Sequence, residues 1–131
     1  MPTDQNVSPQ RGILLVEDEK HMLRLLIKKF CEHGYTVFAA ADGDEAIKTY
    51  CRHKTEIAAV LLDVGLPKVK GADVFYRMKR ENPAVRVVIA SGFLEPALRT
   101  EMNRAGVEHF IEKPYCVDDL VATFQSLIGS A

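Results

Sequence analysis

A chain of 131 residues, 47% of them hydrophobic, is long enough for one compact domain with a buried core and too short for two. Its 17 basic and 18 acidic residues leave a formal net charge of -1, which excludes the bulk basic field that holds a nucleic acid or an anionic membrane. Cys31, Cys51 and Cys116 lie far apart without metal-type spacing and point to reduced thiols in a cytoplasmic setting, and no apolar run approaches the roughly 20 residues that a bilayer span needs, so no membrane insertion is expected.

Residues 1–10 are polar, carry Pro2 and Pro9 and show no periodicity, which predicts a flexible leader before a domain over 11–131. Ile13-Leu14-Leu15-Val16 is a short buried strand that runs into Glu17-Asp18-Glu19. A helix follows to about His33, with Gly34 as its left-handed stop. Its apolar residues Met22, Leu23, Leu25, Leu26, Ile27 and Phe30 fan over about 200°, wider than a core-facing stripe of about 100°, so part of them should stay at the surface. Thr36–Ala40 is the second strand, and Asp42 with Glu45 at capping-box spacing opens a helix that turns Ala46, Ile47 and Tyr50 inward.

The run Ala58-Ala59-Val60-Leu61-Leu62 leads straight into Asp63, after which Gly65 and Pro67 forbid regular structure. A continuous apolar run of this kind is what a central parallel strand covered on both faces requires. A helix is predicted over Ala72–Asn82, a strand over Val85–Ala90 ending at Ser91-Gly92, and a helix from Pro96 to about Ala105 with Gly106 as its stop. A fifth strand over Val107–Ile111 ends in Glu112-Lys113-Pro114, and the last helix runs over Val117–Ile128. Five alternating strand and helix units predict an α/β fold, a doubly wound five-stranded parallel sheet in a three-layer sandwich of strand order 2-1-3-4-5. That order makes strands one and three neighbours at the switch point and brings four strand ends, carrying Glu17-Asp18, Asp63, Ser91 and Lys113, to one rim.

Each of these groups alone is readily explained, the acids and Ser91 by a cap or a turn and Lys113 as a solvated lysine before a helix. Their coincidence at one rim is not. Three carboxylates in a crevice repel, and a lysine with a divalent cation would neutralise them; an all-oxygen site with few protein ligands suits Mg²⁺. Asp18 and Asp63 are the expected direct ligands with the Gly65 carbonyl, and Glu17 acts through water. A metal so placed lets an anionic donor approach a carboxylate nucleophile, which is the chemistry of phosphoryl transfer to Asp63, with Lys113 and the Ser91 hydroxyl on phosphoryl oxygens.

Leu15-Val16-Glu17-Asp18-Glu19, Asp63-Val64-Gly65-Leu66-Pro67 with Gly71 eight residues past the aspartate, Ser91-Gly92 and Lys113-Pro114 together make the chain resemble the receiver domain of two-component response regulators, over about residues 11–128. The resemblance implies the flavodoxin-like, CheY-like form of the fold. It also implies that Asp63 accepts phosphate from a phosphohistidine on a histidine kinase or histidine phosphotransfer protein, that Mg²⁺ is required, and that water later removes the phosphate. In the family a hydroxyl on strand four moves to the phosphate and an aromatic on strand five turns in behind it; Ser91 and Phe110 hold these positions. Phe110 lacks the hydroxyl of the more frequent tyrosine and is equally readable as a core aromatic.

The resemblance further implies a downstream protein on the face of helix 4, strand 5 and helix 5, no direct contact with nucleic acid, a monomer or weak dimer, and no enzyme activity beyond the domain's own phosphorylation and dephosphorylation. Met22, Leu23, Leu25 and Ile27 offer a docking patch for the phosphodonor, or else pack on the leader or the last helix. Two alternatives accompany this reading: a receiver segment of a hybrid sensor histidine kinase, and an aspartate-nucleophile phosphatase of the haloacid-dehalogenase kind, which wants a second acid where Gly65 stands.

Overall fold

The computed structural model describes residues 11–64 and 70–128, along which strands and helices alternate. The strands are β1 (Gly12–Val16), β2 (Thr36–Ala40), β3 (Ile57–Asp63), β4 (Val87–Ser91) and β5 (His109–Glu112). The helices are α1 (Lys20–Glu32), α2 (Gly43–His53), α3 (Gly71–Glu81), α4 (Pro96–Arg104) and α5 (Val117–Ile128). All strand pairs are parallel and the order is β2-β1-β3-β4-β5, as the alternation predicted. The expected leader, residues 1–10, falls outside the described residues, as do Gly65, Leu66 and Pro67.

Successive side chains of a strand point to opposite faces, and in the three central strands both sets are apolar because both faces are covered. Leu14, Val16, Val60, Leu62, Val87 and Ile89 meet Ala46 and Tyr50 of α2, Val74, Phe75 and Met78 of α3, and Met102 of α4. The alternate residues Ile13, Leu15, Ala59, Leu61, Val88 and Ala90 meet Leu26 and Phe30 of α1 and Leu120, Val121 and Phe124 of α5. On this second face Phe30 takes Tyr35 and Phe124 edge-on, at ring separations of 5.9 and 5.2 Å. Each fully buried Leu, Ile, Val or Phe contributes about 1.5–3 kcal/mol, so the two layers hold the sheet rigid between them.

Element ends follow local chemistry. Gly34 and Gly106 take φ of 86° and 116°, where a Cβ would be strained, and close α1 and α4. Asp42 caps α2 by accepting from the Glu45 amide at 2.9 Å, and the Glu45 carboxylate reaches back to the Ala41 amide at 2.7 Å. Two strands begin later than their apolar runs suggest. The Val85 amide is spent on a turn to the Asn82 carbonyl, so β4 starts at Val87; the Val107 amide closes the end of α4 on the Met102 carbonyl, so β5 covers His109–Glu112 rather than Val107–Ile111. Likewise Asn82 caps α3 from outside it.

Of the wide apolar fan on α1, Leu26 and Phe30 are buried, Met22, Leu23 and Ile27 are half-buried against the core, and Leu25 is 42% exposed. The surplus foreseen from periodicity therefore comes to the surface chiefly at Leu25.

Candidate functional site

The sheet register brings the singled-out residues together. Asp63 is the last residue of β3 and lies opposite Ala90, and β1 ends on the Val16–Leu62 pair, so Glu17 follows into the position beside Asp63. On the other side Ser91 ends β4 opposite Glu112, and the Lys113 amide donates to the Ser91 carbonyl at 2.8 Å. Glu17, Asp63 and Ser91 are buried while Asp18 is exposed. An open cleft of about 430 Å³ is lined by Asp18, Asp63, Val64, Ser91, Gly92, Phe93 and Lys113. Gly65 lies outside the described residues.

Three adjacent acids, alike in the sequence, have separate tasks. Glu19 caps α1, its carboxylate accepting from the His21 and Met22 amides at 3.2 and 2.7 Å, and these bonds hold its carboxyl below the usual range. Glu17 turns the other way. Its Oε2 accepts from the Glu19 amide at 3.0 Å and its Oε1 lies 3.4 Å from the Lys113 ammonium. Burial pushes the Glu17 carboxyl up, only partly offset by the Glu19 amide and Lys113. Lys113 Nζ donates to Asp63 Oδ2 at 2.7 Å. Burial works against the ammonium, yet the bond to Asp63 and the charges of Asp63 and Glu17 outweigh it and hold the lysine above its usual range.

The Ser91 hydroxyl donates to the Phe93 carbonyl at 2.7 Å and accepts from the Phe93 amide at 3.1 Å, so it is engaged in its own turn. Phe93 itself is 79% exposed at the rim. Phe110 is half-buried on β5, and the Arg99 guanidinium of α4 stacks 4.6 Å above its ring. Sequence reasoning passed over Tyr115, two residues beyond Lys113. Its hydroxyl is shut away from solvent with no hydrogen-bond partner among the described residues; burial, then the Glu17 carboxylate, pushes it up to about 12. Only its aromatic type after Pro114 could have drawn notice.

The residues fit a hard cation. One carboxylate oxygen from each of Glu17, Asp18 and Asp63 lies within 4.8 Å of the other two, an all-oxygen set of which Asp18 is open to solvent. At 4.8 Å each carboxylate pair repels by about 3.5 kcal/mol at an effective dielectric near 20. One lysine cannot neutralise three such charges, and a divalent ion with it would.

The model of the response regulator receiver domain matches residues 13–125. Sporulation initiation phosphotransferase F of Bacillus subtilis is 30% identical over 82% of this chain and 86% of its own length. The sensor kinase CckA of Brucella abortus is 26% identical over 94% of this chain but only 13% of its own length. Among solved structures, the CheX-CheY-BeF3-Mg complex from Borrelia burgdorferi superposes with a TM-score of 0.82 at 26% identity, over 94% of this chain and 91% of that one. The chain spans about half the length of several curated regulators that it matches.

Proposed function

Because the chain belongs to the response regulator receiver domain family, we propose that Asp63 is its phosphoacceptor and that the surrounding cleft performs the transfer. An Asp63 carboxylate oxygen attacks the phosphorus of a phosphohistidine, the P–N bond breaks, and the imidazole leaves with the electron pair. Water later attacks the acyl phosphate, releasing inorganic phosphate and restoring the carboxylate. The observation that carries this reading is the 2.7 Å bond from Lys113 to Asp63 across 50 residues of sequence, beside two further acids. Lys113 orients the carboxylate and is within reach of an arriving phosphoryl oxygen.

Asp18 and Asp63 would hold Mg²⁺ with the Gly65 carbonyl, and Glu17 through water; the ion would supply charge neutralisation for the approach of an anionic donor. The Ser91 hydroxyl gives up its bonds to Phe93 to meet the phosphoryl group. The space it vacates lets Phe110 turn inward behind it, out from beneath Arg99, and α4, β5 and α5 offer a changed face to a downstream protein. The phosphodonor is a histidine kinase or histidine phosphotransfer protein, and Leu25 with the flanks of Met22, Leu23 and Ile27 is its docking patch. The domain turns over nothing but its own phosphate, acts in the cytoplasm, and is a monomer or weak dimer. The match to CckA supports a second reading of context: the same receiver carried within a hybrid sensor kinase.

The test is intact mass after incubation with Mg²⁺ and acetyl phosphate. One phosphoryl group is expected, absent in Asp63→Asn and after chelation. Label on another residue would overturn the assignment.

A further inference from the structure

Phe110 stands opposite Ile89 in the pairing of β4 with β5, and Ser91, two residues along β4, faces the same side of the sheet. On that side a cleft of about 310 Å³ is lined by Ile89, Ser91, Leu94, Arg99 and Phe110, among others. The ring of Phe110 fits this space once the Ser91 hydroxyl has left it. What faces the ring from outside is a cation. The Arg99 guanidinium stacks over it at 4.6 Å, drawn by the negative face of the π system. Arg99 is exposed on α4, and α4 rests on the core through buried Met102 and half-buried Leu98, so the stack ties a lightly seated helix to a ring on the edge strand. To follow the ring inward the guanidinium would have to shed its water in a mostly apolar cleft, which costs more than the contact returns. The stack therefore belongs to the outward ring alone.

We infer that Arg99 is a positioning residue of the phosphoacceptor site, a latch that holds Phe110 outward and so opposes the loaded state. A contact made only with the ring outward lowers the population of the form that binds a phosphoryl group best, and lowers the apparent affinity by the same factor. A plain electrostatic role for Arg99 has the reverse sign, since a cation beside the site attracts an anion and its removal weakens binding. The inference rests on the reading of Asp63, Ser91 and Phe110 above.

The test compares the wild type with Arg99→Gln by calorimetric titration with beryllofluoride, a phosphoryl mimic, in Mg²⁺. Arg99 is exposed, so the substitution leaves the core intact. The dissociation constant should fall about two- to fivefold, the worth of an exposed cation–π contact. In a Phe110→Leu background, which keeps apolar bulk but has no ring, the same substitution should no longer tighten binding. An affinity that Arg99→Gln leaves equal or weakens, or a tightening that persists in the Leu background, would overturn the latch and leave Asp63 standing as the acceptor. A wild type that takes neither beryllofluoride nor a phosphoryl group would overturn the reading of Asp63 and this inference with it.

Discussion

Removing the ammonium of Lys113 probes the electrostatics of the whole cleft. Methionine in its place keeps an unbranched chain and leaves Glu17, Asp18 and Asp63 facing one another without a cation. The contacts at 2.7 and 3.4 Å correspond to about 6 and about 5 kcal/mol of gross attraction at an effective dielectric near 20. The lysine side chain is 32% exposed, so hydration and screening cancel much of this, and the net loss at pH 7 without divalent ions should be about 3 kcal/mol. The loss should depend on pH in a defined direction. Burial already raises the Glu17 carboxyl above its ordinary 4.5, and Lys113 is one of the groups that lowers it, so the variant raises it further. A carboxyl raised in the folded state contributes stability that is full below the unfolded value and is lost as pH rises through the folded one. The deficit of Lys113→Met is therefore full at neutral pH and shrinks as pH falls toward 4.5, because Glu17, its carboxyl held above that ordinary value, takes up a proton in the folded protein before it does in the unfolded chain. Urea unfolding of both proteins between these limits, with and without Mg²⁺, measures it. Mg²⁺ should restore part of the stability by replacing the missing positive charge. A deficit that ignores both pH and Mg²⁺ would refute the argument that charge balance holds this cleft.

Two further substitutions test the scaffold. Phe124→Ala empties a fully buried position between α5 and Phe30 and should cost about 3–5 kcal/mol in urea unfolding; a loss below about 1 kcal/mol would mean that the α1 and α5 layer does not pin the sheet. Gly71→Ala places a Cβ on the backbone of Val64, the residue after Asp63. It should both destabilise the protein and slow labelling of Asp63 by acetyl phosphate, read by mass, whereas an unchanged labelling rate would separate the start of α3 from the geometry of the acceptor.

Much of this protein is legible in its sequence because the signals are local. Ile13–Val16 and Val60–Leu62 are apolar at every position, and only a strand covered on both sides can bury such a run, so the parallel sheet and its layers follow. Gly34 and Gly106 mark helix ends through a backbone conformation that other residues resist. With the strand order settled, Glu17, Asp18, Asp63, Ser91 and Lys113 had to share a rim. Ambiguity remained where one residue serves two neighbours. Val85 and Val107 look like strand residues, but their amides are already committed to the turns before β4 and β5.

Tertiary packing alone decided the division of labour among identical groups. Glu17, Asp18 and Glu19 are consecutive acids, and nothing local says that one is buried against a lysine, one is open to solvent and one caps a helix. The surfacing of Leu25 rather than its neighbours, and the enclosure of the Tyr115 hydroxyl, are likewise products of how helices lie on the sheet. The physical reason is range: periodicity and caps act over a few residues, whereas the charge on Lys113 finds Asp63 across 50, through a register that exists only when the whole sheet has formed.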